Sequence, residues 1–346
     1  MCRPIAVVGA SGAVGRAAIA QLVRWGVGPL RLGARDVARC PPDDEVPGSE
    51  AVAVDIDNAA SLREFCAGSL VVVNCAGPAL VIGDRVARAA LAAGAAYVDA
   101  AGDDTLYAQL AGAPTGGVPV LLSAGLMPGL TGLLPRYLAR PGARRLVGYV
   151  GGRDRFTATA ALDYLAAGDG YGEPLAAWRN GVRVSRALGV HQAVPPGFDE
   201  TVTLQPYLST ETERLAVAVG LSDVDWYSAF AGDRVLAVLR QPSTDQAARL
   251  CRAAELDLFG VTPYQLIVLD LDGTTLVLRG TGASALTGAA AAAATVAVWR
   301  DEVPAGLHHA AEILDPATAV NRLRDCAAVV DLRVLTEVDC EEEGVL

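Results

Sequence analysis

Three glycines, Gly9, Gly12 and Gly15, follow the short apolar run Ile5-Ala6-Val7-Val8 with the spacing GxxGxxG. Residues without a Cβ let a chain turn tightly and let its backbone amides approach an anion. The chemistry this spacing serves is the holding of a pyrophosphate. Ser11, Ala13 and Val14 complete the turn and open a helix, whose free N–H groups and macrodipole favour negative charge. Three such glycines are a weak signal in a chain with 37 Gly. Context strengthens it, because helix formers run from Ala17 to Trp25 until Gly26-Val27-Gly28-Pro29 stops them. A strand, turn and helix with no ligand is the bland alternative.

A second apolar stretch, 29–34, ends at Arg35-Asp36. About 20 positions beyond the glycines, an acidic residue bonds the ribose 2′-OH of NAD, whereas arginine accommodates the 2′-phosphate of NADP. Arg35 stands there, with Arg31 on the same strand, so the sequence favours NADP; the alternative leaves Arg35 in solvent and gives the ribose to Asp36. Further cofactor contacts are expected where other strands end. Asp55 follows the strand expected at 51–54, and Asn74, Ala76, Gly77 and Pro78 follow the one at 70–73. Met127 stands in the Gly- and Pro-rich turn after 118–122, beside the nicotinamide or in the core.

Composition narrows the function. The 346 residues carry a formal charge of −11 and no lysine, which excludes Schiff-base chemistry on lysine and argues against a nucleic-acid partner. The seven cysteines are scattered without CxxC pairs or Cys/His clusters, so reduced intracellular thiols are expected and no metal site. The apolar stretch 283–299 contains Ser284, Thr287, Gly288 and Thr295 and is shorter than the roughly 20 residues of a membrane span, so it reads as a buried helix. With no signal peptide expected before the first strand, a cytoplasmic protein follows.

The elements that must position these residues read as α/β. Strands at 5–8, 29–36, 51–54, 70–73, 96–99 and 118–122 alternate with helices, the signature of an N-terminal Rossmann, doubly wound parallel sheet over 1–130. Alternating runs at 146–150, 202–208, 235–240 and 264–271 follow, and Asp272-Gly273 joins the last to 275–279 as a hairpin. Residues 131–303 therefore read as an α+β domain with a mostly antiparallel sheet, for substrate and dimer contacts as a homodimer. Residues 304–338 read as helices (304–315 and 316–328) returning to the first domain, and 339–346 as a disordered tail.

Several segments resemble the saccharopine dehydrogenase-like oxidoreductases: Gly9 to Gly15, Asn74-Cys75-Ala76-Gly77-Pro78, Ala96-Tyr97-Val98-Asp99, Gly125-Leu126-Met127-Pro128-Gly129-Leu130 and Gly306-Leu307-His308-His309-Ala310-Ala311-Glu312. The resemblance spans most of the chain. Within that family, Phe156-Thr157-Ala158-Thr159-Ala160 and Gln205-Pro206-Tyr207-Leu208-Ser209-Thr210-Glu211 resemble the thiazolinyl imine reductases of pyochelin-type siderophore assembly lines. That closer resemblance implies NADPH-dependent reduction of a thiazoline C=N to a thiazolidine, on a substrate carried by a peptide synthetase. A small-molecule imine or enoyl substrate is the alternative within the fold, and an NADP-binding redox sensor without turnover is the alternative outside catalysis.

Imine reduction needs a hydride at carbon and a proton at nitrogen, so a donor with a pKa near the working pH is sought. His191, His308 and His309 are the three histidines. His308 and His309 are expected on a helix, about 100° apart, so that one of them can face the site; packing or capping is their bland role. Asp103, just past a strand end, is the best-placed carboxylate, with helix N-capping as its alternative. Tyr207 offers a phenol on an expected strand, where satisfying a backbone partner is the alternative.

Overall fold

The computed structural model describes residues 3–166 and 170–335, so the expected tail at 339–346 lies outside the described residues. The described residues form two compact units, one of 3–133 with 284–328 and one of 134–283 with 329–335. The helix Ala283–Trp299, read from the sequence with the middle domain, thus belongs almost wholly to the first unit, and the strand Val329–Leu335 to the second.

Seven parallel strands form the sheet of the first unit: β1 (Ile5–Val8), β2 (Leu30–Ala34), β3 (Glu50–Ala53), β4 (Val71–Asn74), β5 (Ala96–Asp99), β6 (Pro119–Leu122) and the late strand Gly306–His309. Their spatial order is Gly306–His309, β6, β5, β4, β1, β2, β3. Strands covered on both faces must be apolar at every position, and β1 and β4 are buried throughout. Successive side chains feed opposite cores. Ile5, Val7, Val71, Val73 and Leu121 pack with Ile19 and Leu22 of the helix Ala13–Arg24 and with the alanines of Ala283–Trp299. Ala6, Val8, Val72, Tyr97 and Val120 pack with Phe65, Val86 and Leu106 on the other face.

The alanine-rich helix is apolar all round and buried from Gly288 to Val298, as the sequence implied. A Cβ on Gly288 would stand 2.5 Å from the Ala17 Cβ, so these two helices pack nearly backbone to backbone. No helix among the described residues is long and apolar enough to cross a membrane.

One expectation here is overturned. Residues 304–315 are not a helix: Gly306–His309 is a strand, and one helical turn, Ala310–Ile313, follows it. Parallel pairing decides this, with His308 opposite Leu121 and His309 opposite Leu122, because β6 would otherwise be an unpaired edge. Adjacent residues on a strand face opposite sides, so the two histidines diverge by a half turn rather than by about 100°.

The second unit holds a mixed, mostly antiparallel sheet. Its main path runs Val182–Val184, Ala177–Arg179, Asp223–Phe230, Arg145–Arg153, Tyr264–Leu271, Thr274–Gly280 and Val329–Leu335. The pair Arg145–Arg153 and Asp223–Phe230 is parallel. Val202–Ser209 runs antiparallel to Asp223–Phe230 and carries the short strands His191–Ala193 and Gly172–Pro174. The Asp272-Gly273 hairpin forms as expected, with φ of +49° and +85°, the left-handed pair that a two-residue turn of the primed type requires. Residues 235–240, read as a strand, instead form the rest of the helix Asp233–Leu239 and its C-cap, Arg240. Their apolar spacing suits either period, and the structure settles it from a distance: Asp257 Oδ2 accepts from the amides of Arg234 (3.2 Å) and Val235 (3.1 Å), capping that helix.

Candidate functional site

The glycine turn lies where the chain leaves β1. Gly9 has φ +80°, and a Cβ there would stand 2.7 Å from the Ala76 amide nitrogen, so the turns after β1 and β4 touch through backbone. A Cβ on Gly15 would fall 2.2 Å from the Gly9 carbonyl oxygen, which locks the helix Ala13–Arg24 onto the turn. Gly12 differs. It is the exposed N-cap of that helix in extended backbone, no side chain caps the first turn, and no acidic residue stands in it. The amides at Ala13 and Val14 are thus left for an anion, with Ser11 and Gly12 at the rim. Across the touching turn, the buried Asn74 accepts the Ala76 amide at 3.2 Å through Oδ1 and shapes the path into Gly77 and Pro78.

At the end of β2 the two readings of Arg35-Asp36 separate. Asp36 Oδ1 accepts the Ala38 amide at 3.1 Å and caps the turn Val37–Arg39, so its carboxylate is engaged locally. Arg35 is exposed, and no hydrogen bond or ion pair to another described residue holds it. Arg16 joins this rim to the glycine turn, donating to the Ser11 carbonyl at 3.3 Å and to the Arg39 carbonyl. Arg31 does not share the site. It pairs with Glu50 (3.0 Å) and donates to the carbonyls of Phe65 and Ala67 (both 2.8 Å), knitting β2 to β3 and the helix Ala59–Cys66. Asp55 is exposed just past β3 and accepts the Asp57 amide at 3.0 Å.

The other half of the same strand-end edge carries a polar cluster. Ser123 follows β6, His309 ends the strand beside it, and Asp104 opens the helix Asp104–Leu110 beyond β5. Ser123 Oγ lies 3.1 Å from His309 Nδ1 and donates to the Gly102 carbonyl at 2.7 Å. On the far side of the ring, His309 Nε2 stands 3.2 Å from Asp104 Oδ1. Tyr107, one turn along the same helix, stacks on the imidazole at 4.8 Å with 14° between the planes. Ser123 and His309 are buried, at 0% and 4% exposure, and Ser123 has the left-handed φ of +57°. A non-glycine residue in that region is uncommon and marks a constrained position.

Parallel strands with a glycine turn and an uncapped helix start after the first, an exposed arginine at the end of the second and polar groups past the fifth and sixth have the layout of the dinucleotide-binding fold. Residues 5–118 match the saccharopine dehydrogenase NADP binding domain. The cofactor is NADP(H). The chain has the fold of apo saccharopine dehydrogenase (L-Glu forming) from Saccharomyces cerevisiae, with a TM-score of 0.64 over 97% of this chain and all (100%) of that one, at 13% identity. A Rossmann-fold NAD(P)-binding family protein from Shigella flexneri is similar over 28% of this chain and 50% of its own, at 24% identity and a TM-score of 0.26. No curated protein matches the sequence.

Against this NADP-binding domain, the residues expected to do chemistry divide. His309 lies at its strand-end edge. His308, on the opposite side of its strand, is partly exposed, with Nε2 3.4 Å from the Ala305 carbonyl. Asp103 takes its capping alternative: Oδ1 accepts the Thr105 amide at 3.0 Å, and the carboxylate that reaches the histidine belongs to the next residue, Asp104. Met127 is exposed in the turn after β6. Tyr207 and His191 lie in the second unit. Burial pushes the Tyr207 phenol above its ordinary value, against a smaller opposing pull from Arg183, and its ring sits 6.2 Å from that of Tyr171. His191 Nδ1 lies 3.1 Å from the Gly189 carbonyl. Asp104, Tyr107 and Ser123 were missed from sequence; their one signal was position, just past the ends of parallel strands.

Proposed function

We propose that the protein is an NADPH-dependent reductase of a C=N bond, and that its first substrate class to test is the thiazoline ring of a carrier-bound intermediate. The observation that carries the reading is the cluster of Asp104, Ser123 and His309 on the strand-end edge of an NADP-binding domain. Nicotinamide and adenine halves of a dinucleotide lie on opposite sides of the first strand, and this cluster stands on the side away from Arg35. Bound NADPH supplies the hydride. The chain's own residues would do the rest. Gly12, Ala13 and Val14 would seat the pyrophosphate, Arg35 would take the 2′-phosphate, and the turn from Asn74 to Pro78 would back the ribose. The acidic histidine cluster would furnish the proton that a reduced C=N nitrogen needs.

The reading extends to a cytoplasmic enzyme that works as a homodimer and receives its substrate from a peptide synthetase. Its test is loss of NADPH absorbance with a hydroxyphenyl-thiazoline thioester, simple cyclic imines and an enoyl thioester offered side by side. Turnover selective for the thiazoline supports the finest form, and turnover of cyclic imines alone supports the class. Selectivity for the enoyl thioester, or tight NADPH binding with no oxidation, would replace C=N reduction with C=C reduction or with a sensing role.

A further inference from the structure

Proton positions around His309 follow from what its neighbours can donate. Ser123 has one hydroxyl proton, and the Gly102 carbonyl, 2.7 Å away, can only accept it. The serine oxygen is therefore the acceptor toward the ring, and His309 Nδ1, at 3.1 Å, carries a proton. On the other side an ionised Asp104 carboxylate is an acceptor too, and with Asp104 ionised Nε2, at 3.2 Å, carries the second. A ring protonated at both nitrogens is an imidazolium. Tyr107 lies parallel to it at 4.8 Å and offers the π face that favours a cation. A charge as buried as this one is tolerated when it is paired and hydrogen-bonded, and both conditions are met.

Among the other charged or titratable groups of the neighbouring elements, Glu312 stands in the turn Ala310–Ile313 just after His309, and three more are committed elsewhere. Asp103 caps the helix Asp104–Leu110. Asp99, at the end of β5, accepts from Asn74, Tyr97 and the amides of Ala101 and Gly102. His308 faces away from the cluster. Within the ion pair the histidine side chain is 5% exposed and the Asp104 side chain 35%, so the carboxylate is the member open to a substrate.

We propose that His309 is a stored proton, held by Ser123 and delivered through Asp104, and that Asp104 is the group that meets the substrate nitrogen. The inference rests on the reading of the site as a C=N reductase. As the C=N π bond breaks, its carbon receives a hydride from bound NADPH, which leaves oxidised as NADP+. The Nε2 proton of His309 passes to the Asp104 carboxylate, which hands one proton on to the nitrogen and so ends, as it began, a carboxylate. The ring is left neutral with its remaining proton on Nδ1, where Ser123 fixes the tautomer. A solvent proton entering at Asp104 resets the pair. Asp104 is thus the catalytic residue, and His309 and Ser123 are positioning residues.

The test begins on the protein without substrate. With three histidines in the chain, histidine labelled with nitrogen-15 gives a readily assigned spectrum, and His309→Gln identifies the signal in question. Near neutral pH, the signal of His309 is expected to show both nitrogens protonated, and Asp104→Asn is expected to remove that state. A neutral ring with one protonated nitrogen in the unmodified protein overturns the proton store, whatever the enzyme turns over. The second arm is kinetic, on the best substrate of the imine panel. Asp104→Asn is expected to lower kcat about 100-fold with KM and NADPH affinity within about twofold, and Asp104→Glu to restore part of the loss. His309→Gln is expected to lower kcat with KM and NADPH affinity within about twofold, as loss of the proton store requires. An unchanged kcat in Asp104→Asn overturns the delivery role. Failure of every imine to oxidise NADPH overturns the reductase reading and the delivery role with it, while the spectrum decides the proton store independently.

Discussion

Asn74 donates from Nδ2 to Asp99 Oδ2 at 3.0 Å, tying the end of β4 to the end of β5 inside the first unit. Asp99 also accepts the Ala101 and Gly102 amides, both at 2.9 Å, and the Tyr97 hydroxyl. One buried carboxylate thereby sets the turns that carry Ala76 on one side and Gly102, Asp103 and Asp104 on the other. Replacing it strands four donors away from water. Asp99→Ala is expected to destabilise the protein by more than about 3 kcal/mol, read as a lower urea midpoint, and a midpoint within error of the original would refute this bracing role.

Gly12 and Gly15 look alike in sequence and should fail differently. The nearest atom to a Cβ on Gly12 is the Gly9 carbonyl oxygen at 3.3 Å, in extended backbone that a branched residue adopts. Gly12→Val is expected to keep its circular dichroism spectrum and lose NADPH binding. Gly15→Ala meets the Gly9 carbonyl at 2.2 Å and is expected to lose roughly 1–3 kcal/mol of stability. Retained affinity in Gly12→Val would remove the pyrophosphate from this turn.

Arg35 is exposed and Asp36 is occupied with its own turn, so preference for a phosphorylated ribose should rest on the arginine. Arg35→Ala is expected to raise the NADPH dissociation constant roughly 10- to 100-fold, the worth of one charge-assisted contact. NADH affinity should move by less than about twofold, as no contact of that strength is lost. Equal losses for both cofactors would place the 2′-phosphate elsewhere.

In the second unit, Arg153 grips Glu200 with Nε 3.1 Å from each carboxylate oxygen, and Tyr264 donates to it at 2.8 Å. Burial pushes the Glu200 carboxyl up, but the hydrogen bonds from Arg153 and Tyr264 and the arginine charge outweigh it, and the net shift is downward. The unfolded chain then holds the proton more tightly. The contribution to stability is complete above the ordinary glutamate value of about 4.3 and fades as pH falls below it toward the folded value. Glu200→Gln should cost roughly 2 kcal/mol at neutral pH and less in acid. Urea unfolding across that range checks this, and a loss that stays constant in acid would show that the charge is not the cause.

How much of this was legible follows from what each residue depends on. β1 and β4 announced themselves as uniformly apolar runs, and Asp272-Gly273 announced its hairpin, because those signals are local. Val235 and Leu236 fit a strand or a helix equally, and the deciding carboxylate, Asp257, comes from another helix. Gly306–His309 has no strong strand composition and becomes a strand because β6 has an open edge. The candidate site suffered in the same way. Ser123 and His309 are 186 positions apart, so a contact between them has no signature in spacing, and Asp103 looked as well placed as its neighbour until the cap claimed it.

The late strand beside β6 also governs the order in which a newly made chain can finish folding. The parallel sheet that binds the cofactor starts at Ile5, yet its edge strand and the alanine-rich helix are synthesised only after residues 134–283, the larger part of the second unit. Until then β6 offers a bare edge, and the apolar layer containing Ile19 and Leu22 lacks much of its cover. Cutting the gene after residue 133 would freeze the chain in that half-covered state, so the nucleotide-binding half is continuous in space but cannot be excised as one continuous stretch of sequence.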